Sequence, residues 1–125
     1  MKRTIGFVVL CVALGTPSLQ AAPVYGVAYD YGFREFVSFD TSDPGTRNVI
    51  SGSFSPTSIY GLGFDPTGTT LYAVDNGTRS FGTINTNTGI FTSVVTVTGI
   101  SDAITGMKID PTTGSIYLAA TDLST

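Results

Sequence analysis

Two patterns of apolar residues divide the chain. The first is a block, Ile5 to Leu14, interrupted only by Gly6. The second begins near Val24, where short apolar stretches alternate with polar residues and are separated by Gly, Pro, Asn and Asp. In Ile59–Asp65 the alternation puts Tyr60, Leu62 and Phe64 on one face and Gly61 and Gly63 on the other, the period-2 pattern of a strand. Asp65-Pro66-Thr67-Gly68 is a turn, in which proline presets φ and the aspartate caps backbone amides. Strands are expected next over Thr70–Asp75, Phe81–Asn85 and Ile90–Thr98. They are separated by the hairpin signal Asn76-Gly77 and the turn Asn87-Thr88-Gly89. Helical periodicity appears nowhere after the first block.

The pattern repeats. Ile59-Tyr-Gly-Leu-Gly-Phe-Asp-Pro-Thr-Gly-Thr-Thr-Leu-Tyr72 matches Ile104-Thr-Gly-Met-Lys-Ile-Asp-Pro-Thr-Thr-Gly-Ser-Ile-Tyr117 at an offset of 45 (110 − 65, 117 − 72). Phe36-Val-Ser-Phe-Asp-Thr41 matches Phe81-Gly-Thr-Ile-Asn-Thr86 at the same offset (81 − 36). Asp110 and Pro111 are therefore the counterparts of Asp65 and Pro66, with Gly114 and Gly68 in the same two turns. Four antiparallel strands in about 45 residues is the size of one β-propeller blade. The expected fold is all-β, built of antiparallel β-propeller-type blades of about 45 residues. It comprises a partial blade over 23–55, a full blade over 57–99 and a partial blade over 103–125. The strand count is three (Val24–Asp30, Glu35–Thr41, Arg47–Gly52), then four, then two (Ile104–Asp110, Ser115–Ala120). Propellers close with about four to eight blades, so the expectation is an incomplete propeller whose remaining blades lie in the same polypeptide. Leu62, Phe64, Met107 and Ile109 are expected in the core, with Leu71 and Ile116 in equivalent buried places.

The order of strand, Asp-Pro-x-Gly, strand and Asn/Asp-Thr-x-Thr-Gly resembles the exported bacterial propellers of the lactonase-like and quinoprotein-like groups. It also resembles related bacterial repeat domains without an assigned role. The stretches that carry this likeness are Gly61–Tyr72, Asn85–Gly89 and Gly106–Tyr117. The chain has no Trp and no Gly-Gly pair, so it lacks the Trp-Asp dipeptide of WD40 blades and the kelch glycines. The resemblance implies propeller repeats and export but is unspecific for activity.

The first block has the three-part order of a secretory signal: Met1-Lys2-Arg3, the apolar run, then small residues suited to cleavage after Ala21 or Ala22. Residues 1–22 are read as that signal. Ten apolar residues are too few to cross a hydrocarbon core, which takes about 20 in a helix, so no transmembrane anchor is expected there. The single cysteine, Cys11, leaves with the signal. Only 12% of residues are charged, and net charge is −3. Removing Lys2 and Arg3 leaves four basic and nine acidic residues, or −5. Scattered Arg34, Arg47, Arg79 and Lys108 do not make the basic patch that nucleic acid requires.

Candidate chemistry is sparse. The chain has no histidine, so its own residues cannot form a Ser-His-Asp or Cys-His site or a histidine-ligated metal centre. Asp40, Asp43, Asp65 and Asp110 lie in turn motifs. A calcium loop would need the D-x-[DN]-x-[DN]-G-x₅-E arrangement, which no segment has, so turn capping is the favoured role. Asp30 and Glu35 flank Tyr31-Gly32-Phe33-Arg34. A glycosidase-like carboxylate pair is the sharper reading there, and a hairpin with solvated Arg34 and Glu35 the favoured one. Tyr72 and Tyr117 share one repeat position, which points to packing rather than a sugar platform. Asn76-Gly77-Thr78 fits a glycosylation acceptor only in a eukaryotic secretory route. No catalytic, cofactor-binding or metal-binding residue is expected.

Two functions compete. The favoured one is an exported, non-catalytic propeller that binds a ligand or surface partner, periplasmic, on the cell surface or secreted. The alternative is part of a propeller enzyme, a lactonase-like hydrolase with its catalytic groups in other blades.

Overall fold

The computed structural model describes residues 23–30 and 33–122, which are strand, turn and loop with no helix. The signal reading, its cleavage residues Ala21 and Ala22, and the loop residues Tyr31 and Gly32 lie outside the described residues. Nine strands run in chain order: β1 (Pro23–Asp30), β2 (Phe33–Asp40), β3 (Asp43–Ser51), β4 (Ile59–Phe64), β5 (Leu71–Asp75), β6 (Ser80–Ile84), β7 (Phe91–Thr96), β8 (Ala103–Ile109) and β9 (Ile116–Thr121). They form three antiparallel sheets, ordered β1-β2-β3, β4-β5-β6-β7 and β8-β9, each with neighbours in sequence adjacent in space. Among the described residues no helix is long and apolar enough to cross a membrane.

Tight loops set this order. Asp65, Asn85 and Asp110 each donate a backbone N–H to a carbonyl five residues on, at Thr70, Ile90 and Ser115. Gly68, Gly89 and Gly114 take φ near +70° in these loops (72°, 70° and 72°), a conformation costly for a residue with a Cβ. The Asn76-Gly77 signal also marks a hairpin, since Asp75 pairs with Ser80. Its left-handed residue, however, is Arg79 (φ 55°) rather than the glycine.

The second sheet lies between the other two. One of its faces carries Ile59, Leu71, Ala73 and Ile84, which form the core with Phe36 and Phe54 from the first sheet and its following loop. Tyr25, Leu62, Phe64 and Phe91 pack around this cluster. The rings of Tyr25 and Phe54 stack on Phe36 at centroid distances of 5.8 Å and 5.6 Å, and Phe64 meets Tyr25 edge-on at 5.8 Å. On the opposite face β4 lies against β8. A Cβ built on Gly61 would come within 2.3 Å of the Met107 Cβ, so the two backbones approach more closely than any side chain allows.

Three placements differ from the alternation. Tyr60 does not join Leu62 and Phe64. The ladder steps from Ile59↔Asp75 to Gly61↔Val74, so Tyr60 is the extra residue of a bulge and is 57% exposed. Ile116 is not buried like Leu71. Leu71 is paired on both sides, by Phe64 and Ile84, whereas Ile116 among the described residues pairs only with Ile109 and is 38% exposed. Tyr117 is likewise exposed, while Tyr72 is half-buried and stacks on Phe81 at 5.2 Å.

Candidate functional site

A buried polar cluster lies where β5 ends. Asp75 is 2% exposed and is the buried charged residue among those described. Its Oδ1 accepts hydrogen bonds from the Ser58 amide (2.9 Å), the Gly77 amide (3.2 Å) and the Thr57 hydroxyl (3.4 Å). Its Oδ2 accepts from the Thr78 hydroxyl (2.8 Å). Burial pushes the carboxyl up, but the Thr78 hydroxyl and the Ser58 and Gly77 amides together outweigh it and hold the group below its ordinary value. A Cβ on Gly77 would come within 2 Å of the Thr57 hydroxyl oxygen (1.9 Å), so this glycine serves close approach rather than unusual φ.

Next to it, the chain ties one sheet to the next. Asn76 donates its amide to the Ser58 carbonyl (2.8 Å), and its Oδ1 accepts the Ile104 amide at the start of β8 (2.9 Å). Arg79 donates to the carbonyls of Asp102 (2.5 Å) and Ser101 (2.8 Å). Between the first and second sheets, Arg34 donates to the Pro56 carbonyl (3.2 Å) and the Tyr29 hydroxyl accepts the Ile59 amide (2.8 Å). Arg34 is therefore not simply solvated; it is half-buried and bonds the segment that leads from β3 to β4. Glu35 is also not free, since Arg47 lies 3.1 Å from it. Nothing is described of the Asp30 side chain.

The turn carboxylates are engaged with their own loops. Asp65 accepts from the Thr67 hydroxyl (2.5 Å) and from the Thr69 and Thr70 amides (2.8 Å each). Asp110 accepts from the Thr112 (2.7 Å) and Thr113 (3.2 Å) amides, two and three residues on. In this it follows Asn85, which accepts from the Asn87 and Thr88 amides, rather than its sequence counterpart Asp65. The cause is glycine placement: Gly114 and Gly89 stand four residues after the capping residue, and Gly68 three. Pro66 and Pro111 occupy the first loop position in each case. Asp40 accepts from the hydroxyl and amide of Ser42 (2.5 Å and 2.7 Å). The Ser42 hydroxyl, the Thr67 hydroxyl and the Thr112 amide are the leading causes that hold Asp40, Asp65 and Asp110 below the usual carboxylate range. Among the described residues no group of three or more His, Cys, Asp or Glu could hold a metal ion.

The surface carries shallow grooves. One of about 260 Å³ lies between the first and second sheets, lined by Val24, Tyr25, Leu62, Phe64 and Leu71 with Pro23 and Gly63. A second, of about 350 Å³, is lined by hydroxyls and amides, among them Thr70, Thr83, Asn85, Asn87 and Thr92. A third, of about 320 Å³ on the first sheet, includes Asp40 and Asp43, which face each other across the β2–β3 turn. The first of these linings offers apolar contact and the second hydrogen bonding.

Comparison with protein-family models, curated proteins and solved structures finds no match for this chain. Of the residues the turn motifs did not single out, Asp75 fixes the segment leading into β4 to the end of β5, and Arg34 and Arg79 bond the segments that lead into the next sheets. A signal for the arginines was present: they stand 45 apart (79 − 34), as do their acceptors Pro56 and Ser101.

Proposed function

We propose that this chain is an exported, non-catalytic binding or surface scaffold protein whose sheets are consecutive blades of a β-propeller. The observation that carries this reading is a recurring bond from a sheet to the segment that leads into the next one. Arg34 to Pro56 and Arg79 to Ser101 are the same bond made 45 residues apart. The bulges support it, since Tyr60 and Thr105 are the extra residues of the β4–β5 and β8–β9 ladders and stand at the same interval. A propeller stacks successive sheets face to face, which agrees with β4 lying against β8. For the residues described, the scaffold reading is supported by the engagement of Asp40, Asp65, Asp75 and Asp110 with hydroxyls and amides of nearby loops, a structural use of each carboxylate. The test is recovery of the protein, expressed from its own start codon, from the exported fraction. The expected N-terminus is Ala22 or Pro23, and no lactone should be hydrolysed above the buffer rate. A mature chain beginning at Met1 would overturn the export reading, and lactone turnover the non-catalytic one.

A further inference from the structure

We propose that Asn76-Gly77 is a latent site of self-modification, held unreactive by the start of β8 and released when that strand lifts from the second sheet. The reaction is loss of ammonia from the Asn76 side chain. The Gly77 nitrogen attacks the Asn76 Cγ and gives up its proton, the carboxamide nitrogen leaves as ammonia, and a cyclic imide closes across the two residues. Water then opens the imide at either carbonyl. The products are aspartate and the isoaspartyl linkage, in which the main chain runs through the former side chain. Asparagine is thermolabile by this route, and glycine obstructs the attack least because it has no Cβ. Asn48, Asn85 and Asn87 precede Val49, Thr86 and Thr88; Asn76 is the asparagine that precedes a glycine.

Burial does not protect the pair. Asn76 is half-buried and Gly77 is exposed, so water reaches them. Hydrogen bonds hold them instead. The Asn76 Oδ1 accepts the Ile104 amide (2.9 Å), and the Asn76 amide donates to the Ser58 carbonyl (2.8 Å). An attack on Cγ needs the two atoms brought into line, and a carboxamide pinned by a strand of another sheet is not free to search for that geometry. The Gly77 amide, for its part, donates to the Asp75 Oδ1 (3.2 Å). Removing its proton would set a second negative charge beside the Asp75 carboxylate, which disfavours the attacking form.

Of these bonds, the one to Ile104 comes from the third sheet, whereas Ser58 and Asp75 flank β4 and end β5. Lifting β8 therefore frees the carboxamide while the second sheet stays folded. The isoaspartyl product then lengthens the main chain in a turn that has no room for it, since even a Cβ on Gly77 would collide with the Thr57 hydroxyl. The turn loses the shape that presents Oδ1 to Ile104, and a passing separation of the sheets becomes a lasting one.

The test follows ammonia loss at Asn76 by mass spectrometry of the full exported chain in mildly alkaline buffer, beside a synthetic peptide of residues 72–81. Asn76 in the folded chain is expected to react about tenfold or more slowly than in the peptide, because reaction waits on a local opening. Exchange of the Ile104 amide reports the same opening. Gly61→Ala, which crowds Met107, should speed both by a common factor. Low urea, below the unfolding midpoint of the unsubstituted chain, should do the same, which keeps the test open if the variant does not fold. Reaction as fast in the folded chain as in the peptide overturns the proposal. Faster reaction in the folded chain also overturns it, since the Ile104 amide would then be assisting by donating to the oxygen that gains charge. So does a rate that follows global unfolding and not the Ile104 amide across the urea series.

Discussion

At the scale of single residues, the chain uses polar side chains to close its own backbone. Arg79 illustrates the balance. Its left-handed φ of 55° is unfavourable for a residue with a Cβ, while its guanidinium meets the carbonyls of Ser101 and Asp102. Alanine keeps the strain and loses the bonds; glycine loses the bonds and removes the strain. Arg79→Ala is expected to lower stability by about 1–2 kcal/mol. Arg79→Gly should recover about 1 kcal/mol of that loss. Denaturant midpoints of the two variants check this. Equal midpoints would mean that the loop relaxes and the strain is not held in place by the rest of the fold. Asp75 makes the same point from the side of burial: a carboxylate 2% exposed is tolerated because four donors converge on it.

At the scale of elements, glycines that look alike in the sequence do different work. Gly68 is needed for its φ of +72°, and a Cβ there meets nothing within 4 Å. Gly61 has no positive φ, and a Cβ there runs into Met107 on β8. Gly68→Ala should cost about 1 kcal/mol and leave the packing of the sheets intact. Gly61→Ala should cost more, about 2–3 kcal/mol, because β4 and β8 must separate. Thermal unfolding ranks the two. The added diagnostic is faster hydrogen exchange in β8 for Gly61→Ala alone; faster exchange in both variants would contradict the division. Bulges belong to this scale as well. Alternation places Tyr60 with Leu62 and Phe64, but one extra residue in β4 breaks the period and turns it outward.

At the scale of the whole molecule, acid should loosen what the carboxylates hold. Asp40, Asp65, Asp75 and Asp110 are all depressed below the value they have when unfolded, so the unfolded chain takes up protons first as pH falls. Their stabilisation is fully present above about pH 4–5, near the unfolded carboxylate value, and is lost as pH falls through the folded values. The melting temperature is therefore expected to be level from pH 7 to about pH 5 and to drop below about pH 4. In Asp75→Asn the plateau should be lower and the acid drop shallower. A main transition above pH 6 would contradict this, since the chain has no histidine to titrate there. How much of this architecture was legible beforehand follows from the range of each signal. The all-β class, the division of strands into three, four and two, and the turns at Asp65, Asn76-Gly77 and Asp110 are local, written in period-2 alternation and in turn residues. Those could be read from the sequence alone. The burial of Asp75, the bond from Asn76 to Ile104, the arginine ties and the exposure of Ile116 depend on residues distant in sequence that meet only once strands have paired and sheets have packed. Only the tertiary structure could decide them, because a side chain's partners across a sheet interface depend on packing and not on its neighbours in sequence.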